Sequence, residues 1–360
     1  MRLLFLTYQG GLAGSTNSIA YLCKGLAERG HDVYAGIREE SDLWSILEDS
    51  KVRRVPMTFT GKFDRNNWKQ IRDVVREFDI QLINAQSSYD RYTSSLANWY
   101  YRLGTKVIHT RRQMPLSIGG LQSLFYNRFT DGIVAVSTPV KDSLVRIGIK
   151  KDLVKVIHNG TPREKYENID LEKVRKLRDR FEIKDGEFVL GCISRLKNQL
   201  QIFEALALIE EPVKAIFCGM EPTEEIQEII ASYTVPHVIQ FDGNVSFGEI
   251  LNYYKLFTAK ILASTTEGLS QSLLEAMALG VPVTATAAAG NLDLVEDGVN
   301  GLLFEDGNIE QIADNILRLK NDPDLRQRLI TGGNKSAYET FSIENTLDNY
   351  ELYFQKLLGV

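Results

Sequence analysis

Short apolar runs that alternate with helical repeats, in both halves of the chain, restrict this sequence to a parallel α/β fold. LLFLT at 3–7 is apolar almost throughout, as a strand covered on both faces must be. The turn Tyr8-Gln9-Gly10-Gly11 follows, and Ile19, Ala20, Leu22, Cys23, Leu26 and Ala27 then recur at helical spacing until Gly30. VYAGI at 33–37 starts the next strand. Strand, glycine turn, helix and strand form the unit whose right-handed crossover lays its strands parallel. The pattern continues through VRRVP, a helix near 66–78, IQLINA, a helix near 91–102, KVIHT at 106–110, GIVAVS at 132–137 and LVKVIHNG at 153–160. Asn159, Gly160 and Pro162 supply exit-turn chemistry, and the polar residues 161–170 mark a boundary. Strands begin again at 187–198, 213–220 and 238–245, so the 360 residues divide into domains of 1–165 and 166–342.

The stretch 264–301, STTEGLSQSLLEAMALGVPVTATAAAGNLDLVEDGVNG, concentrates the chemistry. Leu262 and Ala263 close a run that reads as a buried strand, and Leu273, Leu274, Met277 and Ala278 repeat at helical spacing until Gly280 and Pro282. A helix therefore begins near Ser270. The N–H groups of Leu269, Ser270 and Gln271 at its start suit a phosphate, and Gly268 lets the backbone come close to a ligand. Glu267 lies in the loop before the helix and Glu275 two turns along it. One carboxylate can reach groups beside the phosphate while the other accepts hydrogen bonds from hydroxyls, the layout of a nucleotide sugar. The spacing alone would describe a buried helix with one solvated carboxylate. The loop glycine, the helix stop and the second glycine-bearing loop at Gly290 favour a site.

The E-x7-E of Glu267 and Glu275 within EGLSQSLLEAMALGVPVTAT, continued by Gly290, Asp293, DGVNG and Leu302, resembles the retaining glycosyltransferases of family 4. The resemblance covers most of the chain and is most specific at 264–304. It implies the GT-B architecture: two Rossmann-like domains facing across a cleft, with the C-terminal helix at 343–360 crossing back to the first. It implies transfer of a sugar from a nucleotide-diphosphate donor to a hydroxyl with retained anomeric configuration, and it implies site residues. Gly10 and Gly11 would lie against donor and acceptor, and His109 at the end of KVIHT would position the donor sugar and the acceptor. Arg195 and Lys197 would go to the diphosphate, although only Leu196 separates them where family members have several residues. Gly268, Leu269 and Ser270 would meet the donor, Glu267 the sugar hydroxyls and Glu275 the ribose. RGHDV at 29–33 resembles the family's next helix–strand junction, in which His31 is structural. Tyr350, Leu352, Tyr353 and Leu357 would form the apolar face of the last helix.

Arg111 and Arg112 follow KVIHT in a loop and suit a phosphate or carboxylate on an acceptor. Residues 1–165 hold 25 Lys and Arg against 16 Asp and Glu, a net +9, whereas the remainder carries −14. The basic half points to an anionic partner. Its basic residues are interspersed with Trp99, Tyr100, Tyr101, Leu121, Leu124 and Phe125, a mixture suited to peripheral contact with an anionic membrane. With 44% hydrophobic residues and no apolar run near the roughly 18 that cross a bilayer, the expectation is a cytoplasmic protein at the inner face of the membrane. The acceptor would be a glycan or lipid-linked molecule of envelope polysaccharide or lipopolysaccharide synthesis. Cys23, Cys192 and Cys218 have no metal-like spacing, and Asp322-Pro323-Asp324 reads as a helix cap, so neither metal nor cofactor is expected. No G-x-G-x-x-G follows the first strand, and no nucleic-acid module occurs. Alternative readings are a nucleotide-sugar 2-epimerase of the same architecture, or a non-catalytic sugar-nucleotide binder should the short Arg195–Lys197 loop be disabling.

Overall fold

The computed structural model describes residues 1–11, 14–115, 119–167, 169–243, 245–246 and 248–360. The chain forms two compact units, one of Met1–Pro162 with Ser342–Val360 and one of Arg163–Phe341. Among the described residues the first is built on seven parallel strands: β1 (Arg2–Leu6), β2 (Asp32–Ile37), β3 (Arg53–Pro56), β4 (Leu82–Ala85), β5 (Lys106–Arg111), β6 (Gly132–Ala135) and β7 (Val154–Val156). Their order is 3-2-1-4-5-6-7. Leu3 and Phe5 of β1 pack with Ile19, Leu22 and Leu26 of the helix Gly14–Glu28, while Leu4 and Leu6 on the opposite face meet Ile71 and Val75 of the helix Arg65–Glu77. Burial on both faces is why LLFL shows no alternation.

The second unit repeats the plan. Its strands are β8 (Val189–Ile193), β9 (Lys214–Cys218), β10 (Val238–Asp242), β11 (Ala259–Leu262), β12 (Val283–Thr286) and β13 (Leu302–Phe304), in the order 10-9-8-11-12-13. Val189 and Ile193 pack on one side with Leu273 and Met277, and Leu190 and Cys192 on the other with Phe203 and Leu206. In both sheets the order reverses beside the first strand, between β1 and β4 and again between β8 and β11. Crossover helices leave these points on opposite faces, which opens a crevice at the carboxyl ends of the strands. Asp322 caps the helix Pro323–Lys335, accepting from the Leu325 N–H at 2.8 Å with Pro323 in the first turn.

The helix Ile343–Leu358 belongs to the first unit. Its buried stripe is Ile343, Leu347, Tyr350 and Phe354, at spacings of four, three and four, and it joins the cluster beneath β1. This corrects the face expected from sequence: Leu352 points outward at 66% exposure, and Tyr353 and Leu357 only flank the stripe. Polar ties fix the register. Arg29 bonds Asp348 at 2.7 Å and Glu351 at 2.6 Å, and His31 Nε2 meets Glu351 at 2.7 Å. Gly160 donates its N–H to Thr346 Oγ1 at 2.7 Å, so close that a Cβ there would lie 1.9 Å from the Ser342 carbonyl oxygen. Gly160→Ala is therefore expected to lower stability by about 1–3 kcal/mol in urea unfolding, with Gly61→Ala, which meets nothing within 4 Å, within about 0.5 kcal/mol of the parent. Equal midpoints for the two variants would contradict the docking of this helix.

Candidate functional site

In the second unit the chemistry gathers where the sheet order reverses. The chain leaves β8 through residues 194–199, a loop held by Gln199, whose Nε2 donates to the Arg195 carbonyl at 3.0 Å and whose Oε1 accepts from the Lys197 N–H. Gln199 is fully buried, so this short loop has a fixed core of its own. It aims Lys197 across to the loop after β11, where Nζ donates to Glu267 and to Ser264 Oγ at 3.2 Å. Ser264 Oγ in turn donates to Glu267 at 2.9 Å. The Arg195 side chain, expected beside that of Lys197, is exposed and makes no hydrogen bond or ion pair with Glu267 or Ser264.

The Glu267–Ser270 loop is shaped from behind by the second glycine-bearing loop. Gly290 donates its N–H to the Glu267 carbonyl at 2.9 Å, and a Cβ on Gly290 would lie 1.9 Å from the Gly268 carbonyl oxygen. Asn291 Nδ2 donates to the carbonyls of Ser264 at 3.2 Å and Thr286 at 3.1 Å, joining the ends of β11 and β12. The helix Gln271–Ala278 then starts with Ser270 as its cap, the hydroxyl accepting from the Leu273 N–H at 3.4 Å. The N–H groups of Leu269 and Ser270 have no acceptor among the described residues. Such a helix start is suited to an anion.

Glu275 is only 5% exposed, and both its oxygens are engaged. Lys165 Nζ donates to one at 2.6 Å, from the short turn Arg163–Tyr166 that opens this unit, and the Tyr254 hydroxyl donates to the other at 2.9 Å. Burial, and then the Glu275 charge, push the Tyr254 phenol well above its ordinary pKa. Lys260 lies beside the Tyr254 ring, fully buried, and burial lowers its pKa. Sequence reasoning missed Lys165, Tyr254, Ser264 and Gln199. A polar residue at a strand end was the available signal for Ser264, and nothing local marks the other three.

In the first unit a pocket of about 550 Å³ opens at the carboxyl ends of β1, β4 and β5. Lys62, Arg91, Arg111 and Arg112 line it together with Tyr8 and Gln86. Arg111 is 8% exposed; burial, and then the neighbouring charge of Arg91, lower its pKa to about 10. Burial likewise lowers that of Arg112, whose Nη1 donates to Gln86 Oε1 at 2.6 Å. Arg91, Lys62 and Gln86 were not singled out from sequence as site residues. Arg91 lies in the helix Ser88–Tyr101 rather than in a surface loop.

His109 is placed differently from the expectation. β5 runs on to Arg111, so His109 lies within the strand, fully buried, with Nε2 3.0 Å from Ser95 Oγ and its ring edge-on to Tyr126 at 5.1 Å. Burial, reinforced by Arg91 and Arg111, holds its pKa well below the usual imidazole value, so the ring is neutral at pH 7. It does not line the pocket. Gly10 packs against Ser41, where a Cβ would meet Ser41 Cβ at 2.6 Å; Gly11 accepts from Thr16 Oγ1 at 2.6 Å through its carbonyl, and neither glycine lines the pocket.

The chain matches two family models, one described as Glycosyltransferase Family 4 over residues 12–165 and one as Glycosyl transferases group 1 over 173–336, which together span most of its length. The chain belongs to glycosyltransferase family 4. This glycosyltransferase is 26% identical over 328 residues to the alpha-monoglucosyldiacylglycerol synthase of Streptococcus pneumoniae, covering 83% of this chain and 73% of that protein. It is 27% identical over 255 residues to the N-acetyl-alpha-D-glucosaminyl L-malate synthase of Bacillus anthracis, 64% of this chain and 66% of that one. Among solved structures it is similar to Anabaena Alr3699/HepE in complex with UDP and glucose, at TM-score 0.80 and 22% identity over 99% of this chain and 100% of that one. The fold class is GT-B, with two Rossmann-like domains in one chain.

The Lys165–Glu275 pair gives this glycosyltransferase a testable dependence. Lys165→Met leaves a buried carboxylate without its cation and is expected to cost about 3–5 kcal/mol in urea unfolding. Lys165→Met with Glu275→Met removes both charges and should recover most of that loss. A double variant as unstable as the sum of the two single changes would show that the pair is not coupled.

Proposed function

We propose that this glycosyltransferase moves a sugar from a nucleotide-diphosphate donor to a hydroxyl of a glycan or lipid-linked acceptor, with retention of anomeric configuration, in the synthesis of envelope polysaccharide or glycolipid. The observation that carries the donor assignment is the meeting of Lys197 with Glu267 next to the Ser270-capped helix start. A diphosphate on the Leu269 and Ser270 N–H groups would attract Lys197 away from Glu267. The lysine then stabilises charge developing on the leaving phosphate, and the released carboxylate accepts hydroxyls of the sugar. Glu275, held by Lys165 and Tyr254, would take the ribose hydroxyls. Support for a UDP-sugar comes from the Anabaena protein, solved in complex with UDP and glucose. Support for a glycolipid product comes from the Streptococcus pneumoniae relative, an alpha-monoglucosyldiacylglycerol synthase.

A panel of nucleotide sugars, led by UDP-glucose, is expected to yield one donor that raises the unfolding temperature. At ~100 times its dissociation constant a donor adds about 2.7 kcal/mol. Glu275→Ala should then weaken donor binding, whereas Glu267→Gln should lower kcat more than it lowers donor affinity. Normal turnover in Glu267→Gln would remove that residue from the reacting sugar. Lys197, Arg195 and backbone N–H groups meet the diphosphate charge in this reading, so turnover should survive EDTA. Loss restored by magnesium or manganese would overturn that part.

We also propose peripheral attachment to an anionic membrane at the cytoplasmic face. No helix among the described residues is long and apolar enough to cross a bilayer. Leu121 is 86% exposed and Leu124 65%, with Trp99 and Tyr100 also outward and Arg102 and Arg128 in the same segments. Each basic side chain near such a surface contributes about 1 kcal/mol, and screening acts within ~8 Å at physiological salt. Sedimentation with phosphatidylglycerol vesicles is therefore expected at low salt and should fade with added salt. Protein that stays in the supernatant at low salt would point to a soluble acceptor.

A further inference from the structure

The pocket at the ends of β1, β4 and β5 gathers positive charge on its lining. Lys62, Arg91, Arg111 and Arg112 line it, and no carboxylate among the described residues does. None of the four forms an ion pair among the described residues; Lys62 instead sits over the Tyr92 ring at 5.3 Å. Nε and Nη2 of Arg112 and Nε of Arg91 are buried without an acceptor. A buried N–H with no acceptor is costly, and gathering like charges adds repulsion. The nearby carboxylate, Asp90, acts on Arg91 and Arg112 through its charge but accepts no hydrogen bond from either. One of its oxygens accepts from the Ser87 N–H at 2.7 Å and the other from the Tyr8 N–H at 3.3 Å, which makes it the capping partner of the helix Ser88–Tyr101. A ligand oxyanion would supply the missing acceptors.

We propose that this pocket binds a phosphate ester carried by the acceptor substrate, an assignment that rests on the transfer reading above. Four cationic groups around one cavity match a dianion better than a single carboxylate charge. The adjacent Nε and Nη2 of Arg112 form the planar fork that grips two oxygens of one phosphate, while Arg91 and Arg111 approach from other elements. Gln86 is tied to Arg112 and fixes the plane of that guanidinium. The phosphate belongs to the acceptor because the donor diphosphate is accounted for in the other unit, by Lys197 and the helix start at Ser270. The acceptor is thus a phosphorylated glycan or a lipid with a phosphate headgroup, and both share this chemistry.

Calorimetric titration of the whole protein with inorganic phosphate at low ionic strength tests the assignment, with acetate, malonate and UDP titrated in parallel. Saturable phosphate binding is expected, weakened at least tenfold by Arg112→Gln and by Arg91→Gln, with UDP affinity within twofold of the parent. Arg112→Lys keeps the charge but loses the fork, and should recover only part of the binding. Circular dichroism melts of each variant identify any that fail to fold, and whichever of Arg91→Gln and Arg112→Gln folds as the parent does then carries the comparison. Absence of saturable phosphate binding by the parent would overturn the proposal. So would acetate or malonate binding as tightly as phosphate, or a parallel loss of UDP affinity, which would give the pocket to the donor. None of these titrations requires sugar transfer, so failure of the transfer reading appears separately, as no donor in the nucleotide-sugar panel. Once phosphate binding is established, soluble phosphosugars and vesicles bearing phosphatidic acid as competitors distinguish a glycan from a lipid source.

Discussion

A parallel sheet exposes the carboxyl ends of its strands along one edge, and only where strand order reverses do the crossover helices part to leave room beside them. Both units of this glycosyltransferase place their chemistry at that point. In the first, Thr7 and Ser87 join the ends of β1 and β4 through hydroxyls 2.6 Å apart, and the cationic pocket opens beyond them. In the second, Lys197 after β8 meets Glu267 after β11. The chemistry differs between the units while the topological reason for its position is the same.

Charge is handled in opposite ways at the two points. Each glutamate of the second unit's site has a lysine, but the pairs are not equivalent. The Lys165 and Glu275 side chains are 13% and 6% exposed, so breaking that pair strands a buried charge. Those of Lys197 and Glu267 are 35% and 22% exposed, where water weakens the attraction and an incoming diphosphate can compete for the lysine. The less buried pair is thus suited to exchange and the more buried one to holding shape. In the first unit the pocket arginines Arg91, Arg111 and Arg112 form no ion pair among the described residues, so repulsion and unmet N–H groups are held in the folded state by the packing around them.

Backbone contact between loops is the third element of the design. Gly290 and Asn291 lie far along the chain from Glu267, yet they set the path of the Glu267–Ser270 loop through the contacts to Glu267, Gly268 and Ser264. Glycine is needed at 290 for space, since the Gly268 carbonyl oxygen occupies the volume a side chain would fill.

Periodicity and turn chemistry made the strands, the Ser270 cap, the Asp322 cap and the placement of Glu267 before a helix and Glu275 on it legible in the sequence, because each is set by residues within a few positions of one another. The partners of those residues were not legible. Lys165 stands 110 residues from Glu275, and Lys197 stands 70 from Glu267. Arg91 looks like any basic residue of an amphipathic helix until β5 brings Arg111 and Arg112 beside it. Leu352 and His109 show the same boundary from the other side. A leucine in the last helix read as core and faces solvent, and a histidine near a strand end read as positioning donor sugar and acceptor and is buried against Ser95. Local pattern reports how a side chain relates to its own element. Which face that element presents, and what waits across from it, is decided only when long-range packing closes the sheets.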